Sequence, residues 1–381
     1  MANILDYLRW RGDLHWQASP LNDVDLLILA QLSYVNFDAQ LGGEGRMDQR
    51  RSLAQTCAQL LQQDPQGQAV HQTSYLWAGN RQLMELLSLC TRFTGVDMAG
   101  YQSELDHQAQ TQFGAVTYPL PQGGAVVAFR GTDDSITGWR EDMALSYGDP
   151  APAQRRSLLY LEKAAQAFFG PLYLCGHSKG GNLAVYAAAC AGPQVQQRIR
   201  RICSFDGPGQ QQALVQSPGY QQIRTRLRLY VPHFSIVGML LEHEAAYQIV
   251  ASEGGAITQH NAFSWQVLGP AFVSEAALSP ESEAANRVLR QWIQGMDDQA
   301  RRRFSQAIYD LLAATQADTL GQLAQTPLQS ARAALRELYN MNPDEKQTLH
   351  TALNALITLA LRSLPLPWRR DPQDGDAPPP S

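Results

Sequence analysis

Hydrophobic and polar positions follow two different periods along this chain. Over residues 1–65 the apolar positions recur at helical spacing, in Val24 to Leu32 and again in Leu53 to Leu61, with Gly42, Gly43 and Gly45 marking a loop between them. Arg81 to Thr91 predicts another helix. From about residue 97 the period shortens. Gln110 to Tyr118 and Ala125 to Phe129 are rich in Val, Ala, Phe and Tyr and are bounded by Gly and Pro, which predicts two strands joined as a hairpin through Pro119 to Gly124. Trp139 to Ser146 and Ala153 to Phe169 then predict helices, Leu172 to Cys175 a short strand, Leu183 to Cys190 an Ala-rich helix, and Ile202 to Phe205 and Leu227 to Val231 two more strands. Strand and helix in alternation are the pattern of an α/β protein with a mostly parallel sheet covered by helices. Beyond about residue 275 the pattern is helical again, with amphipathic stretches at Ala300 to Ala314, Leu328 to Tyr339 and Lys346 to Leu361. The expected organisation is an α/β domain over 1–275 with a helical lead-in, a helical region over 276–364, and a disordered Pro-, Asp- and Gly-bearing tail over 365–381.

Composition narrows the function. Of 381 residues, 44% are hydrophobic, enough for a sizeable core, and the formal net charge of −5 gives no electrostatic reason to expect nucleic acid. The five cysteines include no C-x-x-C pair, and three lie in apolar stretches that read as core, as free thiols would in a reducing compartment. No basic-then-apolar leader opens the chain, and no apolar run reaches the roughly 18 residues that span a bilayer. The expected location is the cytoplasm. With no metal-ligand cluster and no G-x-x-x-x-G-K-S/T loop in the sequence, no cofactor is expected.

The strongest chemical signal is Leu172-Tyr-Leu-Cys-Gly-His-Ser-Lys-Gly-Gly-Asn-Leu-Ala184. A serine held on a sharp strand-to-helix turn needs small residues two positions to either side, because larger ones collide with the adjacent backbone. Such a turn lifts the hydroxyl of Ser178 clear of the sheet, at a helix start whose unpaired N–H groups favour developing negative charge. A turn that merely contains serine is the alternative, and the apolar strand before and the Ala-rich run after argue against it. His177 is expected to point away from the serine and support the turn.

A second signal is Ala125-Val-Val-Ala-Phe-Arg-Gly-Thr-Asp-Asp134, an apolar strand ending in a polar loop, followed by Gly138-Trp-Arg-Glu-Asp142. Acyl transfer places charge on the former carbonyl oxygen, and donors fixed beforehand stabilise it. One donor is expected from the N–H of Lys179, the residue after the serine. The other is expected from Thr132, which offers both its N–H and its hydroxyl. Asp142 and Arg130 are expected to order this loop. The Lys179 side chain is expected to face solvent, with a bias toward acidic substrate groups as the alternative.

Together these segments resemble the class 3 lipases, with Phe129-Arg-Gly-Thr132, Trp139-x-x-Asp142 and Gly176-His-Ser-x-Gly-Gly181, and resemble more closely still their bacterial Mbeg-like branch. The Gly176-His-Ser-Lys-Gly-Gly-Asn182 elbow carries the closer likeness. So do Asn22 to Tyr34, Phe205-Asp-Gly-Pro-Gly209, Ser235 to Leu241 and Gln259-His-Asn-Ala-Phe-Ser-Trp265, and the resemblance spans about residues 20 to 270. It implies an α/β-hydrolase fold and serine-dependent acyl hydrolysis without naming a substrate.

A serine hydroxyl needs a base, and in such folds the base is a histidine late in the chain. His260, in a polar turn between two strand-like runs and within the resembled motif, is the first candidate, with His233 and His243 behind it; His350 reads as a surface residue of a helix. The supporting acid is less direct. Class 3 lipases carry an Asp after a later strand, and the matching stretch here has Ser235 in that place. Asp206, at the end of the strand Ile202 to Phe205 and before Gly207-Pro-Gly209, is the first replacement and Glu242 the second, with a loop-ordering role as the alternative for Asp206.

The reading that follows is a serine hydrolase acting on a small-molecule or lipid ester, esterase- or lipase-like, which leaves room for contact with a membrane surface. Two alternatives stay open: a weak or inactive hydrolase fold that binds a partner, and a thioesterase or peptidase using the same triad.

Overall fold

The computed structural model describes residues 2–65, 67, 79–106, 111–133, 135–147, 150–242, 244–317 and 326–363. Gln110 at the head of the expected first strand, His243 and the expected disordered tail lie outside them. No helix among the described residues is long and apolar enough to cross a membrane.

The protein is α/β. Nine strands form one mixed sheet among the described residues: β1 (Arg50–Ser52), β2 (Asp97–Asp106), β3 (Thr111–Pro119), β4 (Ala125–Phe129), β5 (Leu172–His177), β6 (Ile199–Phe205), β7 (Leu227–Pro232), β8 (Tyr247–Val250) and, beyond the two-stranded pair β9 (Val267–Leu268) and β10 (Ala271–Phe272), β11 (Ser274–Glu275). The spatial order is β1-β2-β3-β4-β5-β6-β7-β8-β11. β4 through β8 run parallel, and the two edges are antiparallel. The expected hairpin is β3–β4, with Pro119 opposite Ala125.

Central strands read as continuous apolar runs because both faces are covered. Alternation divides each strand between two cores. Val126, Ala128, Cys175, Cys203 and Phe205 join the core built with helix Asp23–Leu32 and its neighbours. Ala125, Val127, Phe129, Leu172, Leu174 and Ile202 join the core of helices Pro152–Ala167 and Lys179–Cys190. Besides the two- and three-residue strands β1, β9, β10 and β11, two strands escaped the hydrophobic pattern. β2 lies next to the short edge strand β1, bears a register shift between Ala99 and Gln102, and mixes Gly, Gln, Ser and Glu into its run; β8 is only four residues long. Helix Pro280–Gln294 lies within the region expected to be helical, ahead of the amphipathic stretches that begin at Ala300.

A buried charge pair ties the N-terminal helices to the segment ahead of β2. Asn22 caps helix Asp23–Leu32, accepting from the N–H groups of Val24 and Asp25, while Asp25 returns a bond to the Asn22 N–H. The same Asp25 carboxylate, fully buried, receives both arms of Arg92 at 2.6 Å and the hydroxyl of Tyr7 at 2.9 Å. Arg92 gives its remaining donors to the carbonyls of Leu14, Ser19 and Pro20. Every charge in this pair is satisfied, so losing one partner is costly. Arg92→Ala is expected to lower unfolding stability by about 3–5 kcal/mol, read from the urea midpoint at unchanged slope. A loss under about 1 kcal/mol would contradict the account, being what an exposed pair contributes.

Candidate active site

Each segment singled out for chemistry lies at the carboxyl end of a parallel strand. Thr132 follows β4, Ser178 follows β5, Asp206 follows β6, Ser235 follows β7 and His260 follows β8. In open α/β sheets that edge is where ligands and reacting groups collect.

Ser178 sits between β5 and helix Lys179–Cys190 with φ 56° and ψ −134°. A non-glycine residue there carries strain of about 1–3 kcal/mol, which the surroundings must impose. The close passage of strand and helix imposes it. A Cβ on Gly176 would overlap the backbone of Gly180, and one on Gly180 would overlap the carbonyl of Phe129. The Ser178 N–H bonds the Phe205 carbonyl at 2.9 Å, which ties the turn to the neighbouring strand.

Asp206 is buried and also has positive φ, 48°. Its Oδ2 lies 2.5 Å from Nδ1 of His260, and its Oδ1 accepts from the Ser235 hydroxyl at 2.6 Å and the Gly238 N–H at 3.0 Å. The carboxylate that meets His260 therefore follows β6, and Ser235, which follows β7 and stands where the sequence comparison expected an Asp, donates to it. Ser235 is in turn held by helix Pro280–Gln294, where the Ser282 hydroxyl and the Asn286 amide both donate to its carbonyl. Glu242, the second candidate acid, instead exchanges backbone bonds with Gln210. His233 takes part through its backbone, its N–H donating to the Val250 carbonyl, and His350 is exposed.

His177 does more than support the turn. Its Nε2 faces the backbone carbonyl of His260 at 2.7 Å, and its Nδ1 lies 3.1 Å from the Tyr34 hydroxyl. A carbonyl only accepts, so Nε2 carries the proton and Nδ1 accepts from Tyr34. The two imidazoles stand 4.6 Å apart, centroid to centroid. Burial, and secondarily the charge of His260, depresses the His177 pKa to about 3, so it stays neutral and anchors the loop bearing His260. A histidine next to the serine gave no sequence signal for this, since its partner is 83 residues away.

On the other side of the cleft, Thr132 donates its hydroxyl to Asp142, at 2.6 and 2.7 Å to the two oxygens. The expected loop-ordering role of Asp142 is thus seen as a bond. The hydroxyl proton of Thr132 is used in it, which leaves the Thr132 N–H as the available donor. Among the described residues neither that N–H nor the N–H of Lys179, in the first turn of its helix, has an acceptor among the turn, loop and cap hydrogen bonds. Arg130 bonds Ser103. The Lys179 side chain departs from expectation: it is buried, not solvent-facing, and paired with Glu141 at 2.8 Å. Burial raises the Asp142 carboxyl to about 6, against the opposing charge of Lys179 and the bond from Thr132.

These groups open onto one cleft of about 610 Å³. Ser178, His260, Thr132 and Lys179 line it together with a largely apolar wall, in which Leu289, Trp292, Ile293 and Phe304 come from the C-terminal helices Pro280–Gln294 and Asp298–Ala313. Among the described residues no group of His, Cys, Asp and Glu side chains is arranged to hold a metal ion.

A family model described as Mbeg1-like matches residues 87–310, more than half of the chain. The chain belongs to the Mbeg1-like family. The match takes in β2 through β11 and all five site positions. Among solved structures the Mbeg1-like chain is similar to the crystal structure of M37 lipase, at 16% identity and a TM-score of 0.35, covering 56% of this chain and 68% of that one. No curated protein matches it.

The buried histidine has a measurable consequence in the Mbeg1-like protein. Unfolded, His177 titrates near 6.5, and folded near 3, so between those values the unfolded chain binds more protons. Its contribution to stability is complete above about pH 6.5 and is lost as pH falls toward 3. Asp142 has the opposite sign: raised from 3.8 to about 6, it stabilises at low pH and loses that contribution as pH rises through 6. The difference between wild type and His177→Gln isolates the histidine. Denaturant unfolding at pH 7 and pH 4.5 is expected to show a smaller acid-induced loss in the variant, and equal losses would refute a neutral buried imidazole.

Proposed function

We propose that this Mbeg1-like protein is an α/β-hydrolase that cleaves carboxylic esters through an acyl-enzyme on Ser178. The observation that carries the reading is that His260, bonded through Nδ1 to the buried Asp206 carboxylate and held at its carbonyl by His177, lines the same largely apolar cleft as Ser178.

In this reading the Ser178 Oγ attacks the ester carbonyl while Nε2 of His260 takes its proton. Asp206 at Nδ1 keeps the imidazole in the tautomer that leaves Nε2 free to accept, and stabilises the imidazolium that forms. The N–H groups of Thr132 and Lys179 stabilise the oxyanion, aided by the helix start behind Lys179. His260 then returns the proton to the departing alcohol, and a water activated by the same imidazole releases the acid. The wall of Leu289, Trp292, Ile293 and Phe304 suits the hydrocarbon of an acyl chain better than a peptide's polar backbone, which favours an ester over an amide substrate. A small ester or a lipid ester both fit this description.

Two measurements test it on purified full-length protein. A fluorophosphonate probe is expected to label Ser178, located by peptide mass mapping. Hydrolysis of a p-nitrophenyl ester is expected to fall by about 10⁴-fold or more in Ser178→Ala and by about 10⁴-fold in Asp206→Asn, which presents the wrong tautomer to Nδ1. Absence of label and of turnover in wild type would remove the enzyme reading and favour a binding role for the fold.

A further inference from the structure

The two oxyanion donors belong to different elements. Thr132 stands in the loop after β4, and Lys179 opens the helix after β5. Their separation must be held to a few tenths of an ångström for both to reach one oxygen. We propose that the buried Lys179–Glu141 ion pair sets that separation, so that the Lys179 side chain and Glu141 are positioning groups for the oxyanion hole. The inference rests on the hydrolase reading above.

The Lys179 ammonium has three protons and three acceptors: the Gln112 carbonyl at 2.9 Å, the Gln112 side-chain oxygen at 2.7 Å and Glu141 Oε2 at 2.8 Å. Nothing is left for a substrate, so this cation does not select acidic substrates although its residue lines the cleft. Glu141 is equally committed. Its Oε2 also accepts from the Gln112 N–H at 3.1 Å, and its Oε1 accepts from the Ala153 N–H at 2.8 Å. Both side chains are 1% exposed.

The adjacent residue on the same helix, Ile136–Ala144, is Asp142, whose carboxylate holds the hydroxyl of Thr132. The path from one donor to the other is therefore short and wholly bonded: Lys179 backbone, Lys179 ammonium, Glu141, Asp142, Thr132. Gln112 closes it from a second side, since its amide reaches the carbonyl of Gly131, immediately before Thr132, at 3.4 Å. A well-packed apolar pair of similar volume commonly serves stability as well as a buried ion pair does, or better. Stability alone therefore does not account for placing charges here, whereas fixing a distance between two loops does.

The test compares wild type, Lys179→Met, Glu141→Gln and the double variant Lys179→Met/Glu141→Leu, all as full-length chains. Urea stability, kcat and KM for a p-nitrophenyl ester, and the rate of fluorophosphonate labelling at Ser178 are measured for each. Lys179→Met is expected to be destabilised, because it leaves Glu141 buried and unpaired, and the double variant is expected to recover stability toward wild type. Recovered stability is expected without recovered catalysis. In the double variant kcat and the labelling rate fall by about 10–100-fold with KM within a few-fold of wild type, because the donors are misplaced while the apolar cleft is intact. Glu141→Gln, which keeps an acceptor for the ammonium, is expected to fall between. A stable double variant with wild-type kcat and labelling rate would overturn the inference, as would a loss confined to KM. Should the double variant not fold, a folded Glu141→Gln with wild-type kcat would overturn it too. Failure of wild type itself to turn over or take label is a different result, and removes the hydrolase reading along with this one.

Discussion

The close passage of β5 and the helix that follows it governs the rest of this site. Ser178 occupies a left-handed backbone conformation because strand and helix meet almost without clearance, with Gly176 against Gly180 and Gly180 against Phe129. That contact puts the serine beyond the sheet, starts a helix immediately behind it and aligns the end of β5 with the ends of β4 and β6. The neighbouring positions matter because they are measured from this turn.

Around it the support is layered rather than sequential. Asp206 holds His260 by its ring, while His177 holds the same residue by its carbonyl, and Tyr34 fixes His177 from the N-terminal segment. Ser235 and Gly238 fill the other side of the Asp206 carboxylate, and helix Pro280–Gln294 holds Ser235. The carboxylate that meets the imidazole thus follows β6, and Ser235, after β7, donates to it. A carboxylate that orients a ring needs only to lie at the right distance with its other oxygen satisfied, and two adjacent parallel strands end close enough for either to supply it.

The charged residues inside the protein follow the same logic. Arg92 with Asp25, and Lys179 with Glu141, are buried with their hydrogen-bonding capacity almost entirely used. The first ties the N-terminal helices to the segment ahead of β2. The second joins the elbow to the helix after the Thr132 loop. The C-terminal helices contribute differently, by an apolar face: Leu289, Trp292, Ile293 and Phe304 close one side of the cleft, and the Trp292 indole bonds the Ala352 carbonyl to keep that wall in place.

By itself the sequence determined what is local. Hydrophobic period and Gly–Pro punctuation located the helix Asp23–Leu32, the strand Ala125–Phe129, the elbow strand at Leu172 and the helices beyond residue 297, and the small residues around Ser178 announced the turn, because each of these depends on neighbours within a few positions. It also brought forward Ser178, His260, Asp206, Thr132 and Lys179 as residue types in suitable surroundings. Tertiary structure alone decided how they meet. That Asp206 rather than Glu242 faces His260, that Ser235 donates to Asp206, that His177 grips the His260 carbonyl, and that the Lys179 side chain turns inward to Glu141 are all contacts between residues 29 to 83 positions apart. Such contacts depend on the order and register of strands in the sheet, which no period along the chain encodes.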